Sequence, residues 1–264
     1  MKQHPTAVIH EATRLDENIV VGPYAVIEDG VEIGEGTVIR EHAIIRSGTI
    51  LGKGCQVDAH AVIGGLPQDL SFNPKTPTGV RVGDGVTFRE GVTVNRATAE
   101  GTFTEIGDRC LLMANSHVAH DCRLGANVIF GNGVLIAGKG TVGDYAFFGG
   151  NAGVHQNIRI GKFSMIGGVA RVSQDMPPFC MMAERNELIG LNLIGLQRRG
   201  VERETIKELK KLYQLVFGVA GRPRVLAQGA IDDKLAQSPE ALHFLEFLAA
   251  ESIKGVMRPR RGSD

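Results

Sequence analysis

His117 and His120 stand three residues apart in the stretch LLMANSHVAHDC, with Asp121 directly after the second. Such a cluster can do chemistry in two ways. Together with His155 it offers three imidazoles to a metal ion. Alternatively His120 acts as a general base, because an imidazole titrates near neutral pH and a neighbouring carboxylate can orient it. The bland reading is a set of unconnected surface histidines. The choice depends on the scaffold that holds them.

That scaffold is legible as a repeat. Steps of six from Ile9 to Ile63 land on an aliphatic residue every time, and steps of six from Ile106 to Val172 land on an apolar one every time. A second column, four residues on, carries small or β-branched residues such as Ala25, Thr37, Cys55, Cys110, Ser116 and Cys122. Glycine often follows the large aliphatic. Neither a helix nor a hairpin sheet has this period. A solenoid does, with three six-residue rungs closing one triangular coil of about 18 residues. The fold expected is therefore mainly β: a parallel β-helix over 1–175. Loops at 65–79 and 97–105 leave its wall, both rich in residues that favour turns. The cysteines of the small column read as buried hydrophobes.

The coil length is also a ruler. His120, Gly138 and Gln156 are spaced by one coil each, as are Asp121 and Lys139, and His155 adjoins Gln156. Stacked strands lie about 4.8 Å apart, so these residues converge on one patch. His117 and His120 flank the inward Val118 and point outward. The metal reading lacks a carboxylate or thiolate to complete it, since Cys122 points inward, and no metal is expected. A general base at His120, with Asp121 beside it and the bare Gly138 backbone one coil away, suits a reaction that develops an oxyanion. The Asp121 and Lys139 charges are placed to pair.

The remaining sequence bounds the function. The 264 residues include 29 Lys plus Arg and 29 Asp plus Glu, so no net basic field draws nucleic acid. No apolar run is long enough to span a membrane. MKQHPTAVIHE has no apolar signal core and the four cysteines show no paired spacing, which points to a cytoplasmic protein. After QDMPP the repeat stops. The segment 176–264 reads as a helical domain. Ile206, Leu209, Leu212, Tyr213 and Val216 have helical spacing, and Ser238-Pro239 opens a second helix with Leu242, Phe244, Leu245, Phe247 and Leu248 on a broad face.

PQDL, NSHVAHDC, GVHQ, SQDMPP and GLNLIGLQRRG, set in such a repeat, together resemble the UDP-N-acetylglucosamine acyltransferase family over nearly the whole chain, which implies a left-handed parallel β-helix with a C-terminal helical domain. The resemblance implies transfer of an R-3-hydroxyacyl chain from acyl carrier protein to the sugar 3-hydroxyl, the first step of lipid A synthesis, with no cofactor. It implies a homotrimer with sites between neighbouring solenoids. It makes His120 the base, Asp121 its support and Gly138 the oxyanion donor. It places Asp69, His117, His155 and Gln156 on the substrates, and Asn192, Arg198 and Arg199 on the nucleotide. Gly168 matches a position where a larger side chain would shorten the acyl channel, so a long acyl chain is expected. Ser71, Lys139 and Ile194 depart from the common pattern. An N-acyltransferase acting on a 3-amino sugar nucleotide uses the same base, and a non-catalytic binding solenoid is the reading from another class.

Overall fold

The computed structural model describes residues 2–259. Its order is twenty-eight short strands followed by four helices. The strands form three parallel walls. The first has eleven strands, including Val20–Val21, Leu111–Leu112 and Phe147–Phe148; the second nine, including His117–Val118, Leu135–Ile136 and Arg171–Val172; the third eight, including Arg14–Leu15 and Arg123–Leu124. From Val20–Val21 onward, each two-residue strand buries its second residue and turns its first outward. Hence the six-residue period. Every coil presents one large aliphatic per wall, and Ile27, Ile45, Val118, Phe130 and Phe148 stack down the axis as one dry core. Regular coils pair in steps of 18, for example Leu111 with Ile129 and Leu135 with Gly153.

Corners between walls need a residue in the left-handed region. Asn and Gly take many of these positions, but Asp121 (φ 60), Lys139 (φ 62) and Val169 (φ 60) hold three of them. The small column lies beside the corners. Cys55, Cys110, Cys122 and Cys180 are buried and free. Burial pushes the Cys110 thiol up to about 11 and that of Cys122 to about 12, so these are packing residues rather than nucleophiles.

Two insertions interrupt the coil. Strands run to Gly65 and resume at Gly79, and again end at Asn95 and resume at Phe103. The excursions are therefore 66–78 and 96–102, slightly shorter than the expected 65–79 and 97–105 except at residue 96. Ladder pairing of Gly65 with Asn95 and of Gly79 with Phe103 holds the ends in the walls.

The solenoid also continues past 175. Cys180–Ala183 adds to the first wall and turns back antiparallel as Glu187–Leu191. Helices begin only at α1 (Leu193–Arg198), followed by α2 (Arg203–Phe217), α3 (Pro223–Asp232) and α4 (Pro239–Ala249). The last five residues, 260–264, of the expected helical segment lie outside the described residues. Ile206, Leu209, Leu212 and Val216 form the buried face of α2. In α4, Ser238 caps the Ala241 amide, and Ala241, Phe244, Leu245 and Leu248 are buried. Leu242 is exposed, contrary to its expected place on the apolar face. On a helix of 3.6 residues per turn it stands roughly 60° beyond Leu245, past the edge of the arc that Ala241, Phe244, Leu245 and Leu248 bury.

A buried clasp joins the two parts. Asp175 is 1% exposed. It accepts from the Arg159 backbone N–H at 2.8 Å and Nε at 2.7 Å, while the Arg159 guanidinium lies over Phe247 of α4. The Asp175 backbone pairs with Gly255 and Met257 on both sides. QDMPP thus ends the regular rungs by docking the following chain.

Candidate active site

The corner from the second wall to the third carries His120 and Asp121. The left-handed turn at Asp121 brings its carboxylate back beside the preceding ring. His120 Nδ1 lies 2.8 Å from Asp121 Oδ2. The same carboxylate accepts from the Thr98 backbone N–H at 2.8 Å and from the Thr98 hydroxyl at 2.7 Å. The Asp121 N–H donates to Thr104 Oγ1 at 2.9 Å. The carboxylate is therefore fixed before it meets the imidazole. Burial works against its ionisation, but the bonds from His120 and Thr98 outweigh that and hold its pKa below the usual range. With Nδ1 donating to Asp121, Nε2 is left as the basic nitrogen.

Gly138 lies under that ring. A Cβ there would stand 2.6 Å from His120 Cε1 and 2.7 Å from Nε2. Any side chain at 138 displaces the imidazole, so glycine is needed for close approach and not for an unusual φ. The 18-residue ruler holds here: Lys139 N–H donates to the His120 carbonyl, and Asn157 N–H to that of Gly138. The Gly138 N–H has no acceptor among the described residues and remains available. The expected Asp121–Lys139 pair is not made. Both carboxylate oxygens are engaged by Thr98 and His120, on the side of the second excursion.

His117 projects from the second wall. Its Nδ1 is 2.7 Å from Thr93 Oγ1. Burial lowers its pKa; the bond to Thr93 opposes this and the nearby His120 adds to it, so the neutral ring is favoured. His117, His120, Gly138, His155 and Gln156 all line one open groove of about 880 Å3. Gln68, from the first excursion, closes one side. Asp69 follows it. Bonds from the Ser71 hydroxyl and N–H lower the pKa of this exposed carboxylate, and the nearby His120 and Lys139 charges add to that. The first excursion thus returns to the His120 corner.

Four residues named from sequence lie elsewhere. Gly168 sits at the corner between the first and second walls, against Gly150. Asn192 caps α1 through Gly195 N–H and donates to the Phe163 carbonyl. Arg199 lies over Tyr145, 4.3 Å from the ring centroid, with Arg198 exposed beside it. Tyr145 and Phe163 belong to the corner between the third and first walls. Within one chain, the tail residues therefore do not meet His120.

Sequence reasoning missed Thr98, Thr104 and Thr93, and the groove residues Arg171 and Arg185. Thr93 pairs with His117 across 24 residues because the second excursion adds one rung. A ruler corrected for that insertion finds it. Thr98 is on the excursion itself and has no repeat position.

A parallel solenoid of six-residue rungs, with a carboxylate-supported histidine over a glycine at its corner, defines a hexapeptide-repeat acyltransferase. The bacterial transferase hexapeptide model matches residues 6–47 and 103–138, and the model described as UDP N-acetylglucosamine O-acyltransferase, domain 2, matches 175–257. An acyl-[acyl-carrier-protein]–UDP-N-acetylglucosamine O-acyltransferase of Anaeromyxobacter dehalogenans is 48% identical over 98% of this chain and 100% of its own length. The same enzyme of Sinorhizobium fredii is 42% identical over 76% of this chain and 74% of its own. Among solved structures, UDP-N-acetylglucosamine acyltransferase from Campylobacter jejuni superposes with a TM-score of 0.91 at 33% identity, covering 98% of this chain and 100% of that one. The chain belongs to the acyl-[acyl-carrier-protein]–UDP-N-acetylglucosamine O-acyltransferase family.

Proposed function

We propose that the protein transfers an R-3-hydroxyacyl chain from acyl carrier protein to the 3-hydroxyl of UDP-N-acetylglucosamine, the first step of lipid A biosynthesis. The observation that carries the mechanism is the His120 ring, held by Asp121 on one nitrogen and seated over the bare Gly138. His120 Nε2 takes the proton of the sugar hydroxyl as its oxygen attacks the thioester carbonyl carbon. The C–O bond forms and the carbonyl oxygen becomes an oxyanion, facing the free Gly138 N–H. Collapse breaks the C–S bond, and the leaving thiolate takes the proton from the imidazolium. Asp121 stabilises the imidazolium between the two steps. His117, His155, Gln156 and Asp69 position the substrates around this centre.

We read the chain as a β-helix domain, expected over 1–175 and extended by the strand pair that ends at Leu191, followed by a helical C-terminal domain, working as a cytoplasmic homotrimer. Asn192, Arg198 and Arg199 support the trimer, because they sit at a different corner from His120. They act on the nucleotide in the groove of a neighbouring copy. The outer faces of the first two walls are largely apolar, which suits burial against that neighbour.

The test is product chemistry. Purified protein given an R-3-hydroxyacyl carrier protein and UDP-N-acetylglucosamine should yield one acylated sugar nucleotide with an alkali-labile ester. Activity only toward the 3-amino analogue, giving an alkali-stable amide, would reverse the assignment of the acceptor. No transfer to either would remove the catalytic reading.

A further inference from the structure

The two excursions are knit into one unit. The Arg96 N–H donates to the Gly65 carbonyl at 2.9 Å, where the first excursion leaves its wall. The Gly101 N–H donates to the Pro77 carbonyl at 2.9 Å, near where it returns. Between them the buried Ala97 donates its N–H to the Gly79 carbonyl at 3.2 Å. Arg96 adds a side-chain tie. Its Nη2 donates to the Pro74 carbonyl at 2.6 Å, and its guanidinium lies over Phe72, 5.4 Å from the ring centroid. Its Nε is buried without a hydrogen-bond partner among the described residues. Burying a nitrogen of a charged group is unfavourable, so the closed packing of the two excursions is what holds it there. Phe72 and Pro74 belong to the same excursion as Asp69 and as Gln68, which lines the groove. On the other side of Arg96, Thr98 donates twice to Asp121, and Asp121 holds His120.

Resting on the acyl-transfer reading above, we infer that the second excursion couples the substrate loop to the base. Arg96 is the latch on the loop, and Thr98 is the positioning residue behind Asp121. Both act through other residues. Arg96 clamps the first excursion so that Gln68 and Asp69 stand toward the groove, and the same contacts fix the backbone that presents Thr98. Oδ2 of Asp121 receives both the Thr98 hydroxyl and the His120 ring. Without the hydroxyl the carboxylate is free to turn, and the imidazole loses its aim. A misplacement of about 1 Å at a reacting group, caused from a distance, costs on the order of 10²-fold in rate. The order of the substrate loop and the orientation of the base are thus set by one segment.

The experiment combines steady-state kinetics with amide hydrogen exchange on the full-length protein. The variants are Thr98→Val, Thr98→Ser, Arg96→Met and the double variant Arg96→Met/Thr98→Val. Thr98→Val keeps the volume and the backbone donor but removes the hydroxyl. It should lower kcat by roughly tenfold to a hundredfold, the scale of one hydrogen bond to a charged group, with the KM for UDP-N-acetylglucosamine unchanged. Thr98→Ser should restore most of that loss. Arg96→Met keeps the side-chain length but not the bond to Pro74. It should raise that KM and lower kcat together, and exchange should quicken both over 66–78 and at the Thr98 amide. In the double variant the two kcat losses should combine to less than their product, because both act through Thr98. Wild-type kcat in Thr98→Val overturns the positioning role. A raised KM in Arg96→Met with kcat and Thr98 exchange unchanged makes Arg96 a loop tether alone and overturns the coupling, as do losses that multiply in full. If the wild type acylates neither acceptor, the functional reading falls, and exchange in Arg96→Met still decides the coupling.

Discussion

The third wall and the first two share an interior but not an exterior. Inward, all three present the same stacked aliphatics. Outward, the third wall carries a ladder of opposite charges one coil apart: Arg14 with Glu32 at 3.1 Å, Arg81 with Glu105 at 3.6 Å, and Arg123 with Glu105 at 3.4 Å. The first wall shows Val20, Val38, Ile129, Phe147 and Met165 on its outside, and the second Val8, Val26, Ile44, Val62 and Leu135. Exposed ion pairs contribute only about 0–1 kcal/mol each, so the ladder is a surface made for water more than a source of stability. The six-residue period builds the prism, and the outward residue of each strand decides what each face meets. The groove and its histidines open on an apolar face, as the proposed site between two copies requires.

The contrast can be broken first at the chemistry. His120→Ala should lower kcat by about 10²–10⁴, with the β-helix intact by circular dichroism, because the ring contributes nothing to the core. His117→Ala should cost less, since it positions through Thr93. Near-wild-type turnover in a folded His120→Ala enzyme would reject the base.

The next effect concerns the walls. Phe147→Asp places a charge on the first wall and should dissociate the proposed trimer, with activity falling alongside, as read by sedimentation under assay conditions. Arg14→Ala on the third wall should do neither. Equal effects of the two substitutions would remove the distinction between the faces.

Asp121 allows a finer test with a defined sign. Its folded pKa lies below the ordinary aspartate value of 3.8. The stability it contributes is therefore complete above about pH 4 and is lost as pH falls through the lower folded value. Asp121→Asn should lower Tm at neutral pH, and the gap to wild type should narrow only below about pH 4. A gap that stays constant down to pH 2–3 would mean that the charge is not what Thr98 and His120 stabilise. The smallest effect is conformational. Val169 is 72% exposed and holds φ 60, a β-branched residue in the left-handed region. Val169→Asn should stabilise the protein by about 1 kcal/mol, seen as a rise in Tm.

Why some of this was legible and some was not follows from where each residue stands. His120, Gly138 and Gln156 sit on unbroken coils, so counting by coils stacked them correctly. Thr93 was lost because one rung was added between it and His117, and Thr98 because it belongs to that addition. The Asp121–Lys139 pair failed for the same reason: the excursion, invisible to the period, supplies the better donors. The strand pair over 180–191 has no six-residue step and read as part of the helical tail. Helix α3, with Gly229 within it and only Pro223, Ala227 and Ala230 buried, has too thin an apolar face to announce itself. The place of Asn192 and Arg199 at another corner depends on how the tail docks, through Phe163 and Tyr145, which no spacing encodes.

The central claim is that a site joins His120 of one copy to the tail arginine of another. Subunit complementation measures this directly. His120→Ala and Arg199→Ala are each purified, assayed alone, then co-unfolded and refolded together to scramble the trimers. In a mixed trimer some interfaces pair an intact His120 with an intact Arg199, and random assembly makes about a quarter of all interfaces whole. The expected result is two nearly inactive parents and a mixture recovering about a quarter of wild-type turnover. A mixture that forms trimers yet stays no more active than its parents would place both residues in one chain's site and contradict the account.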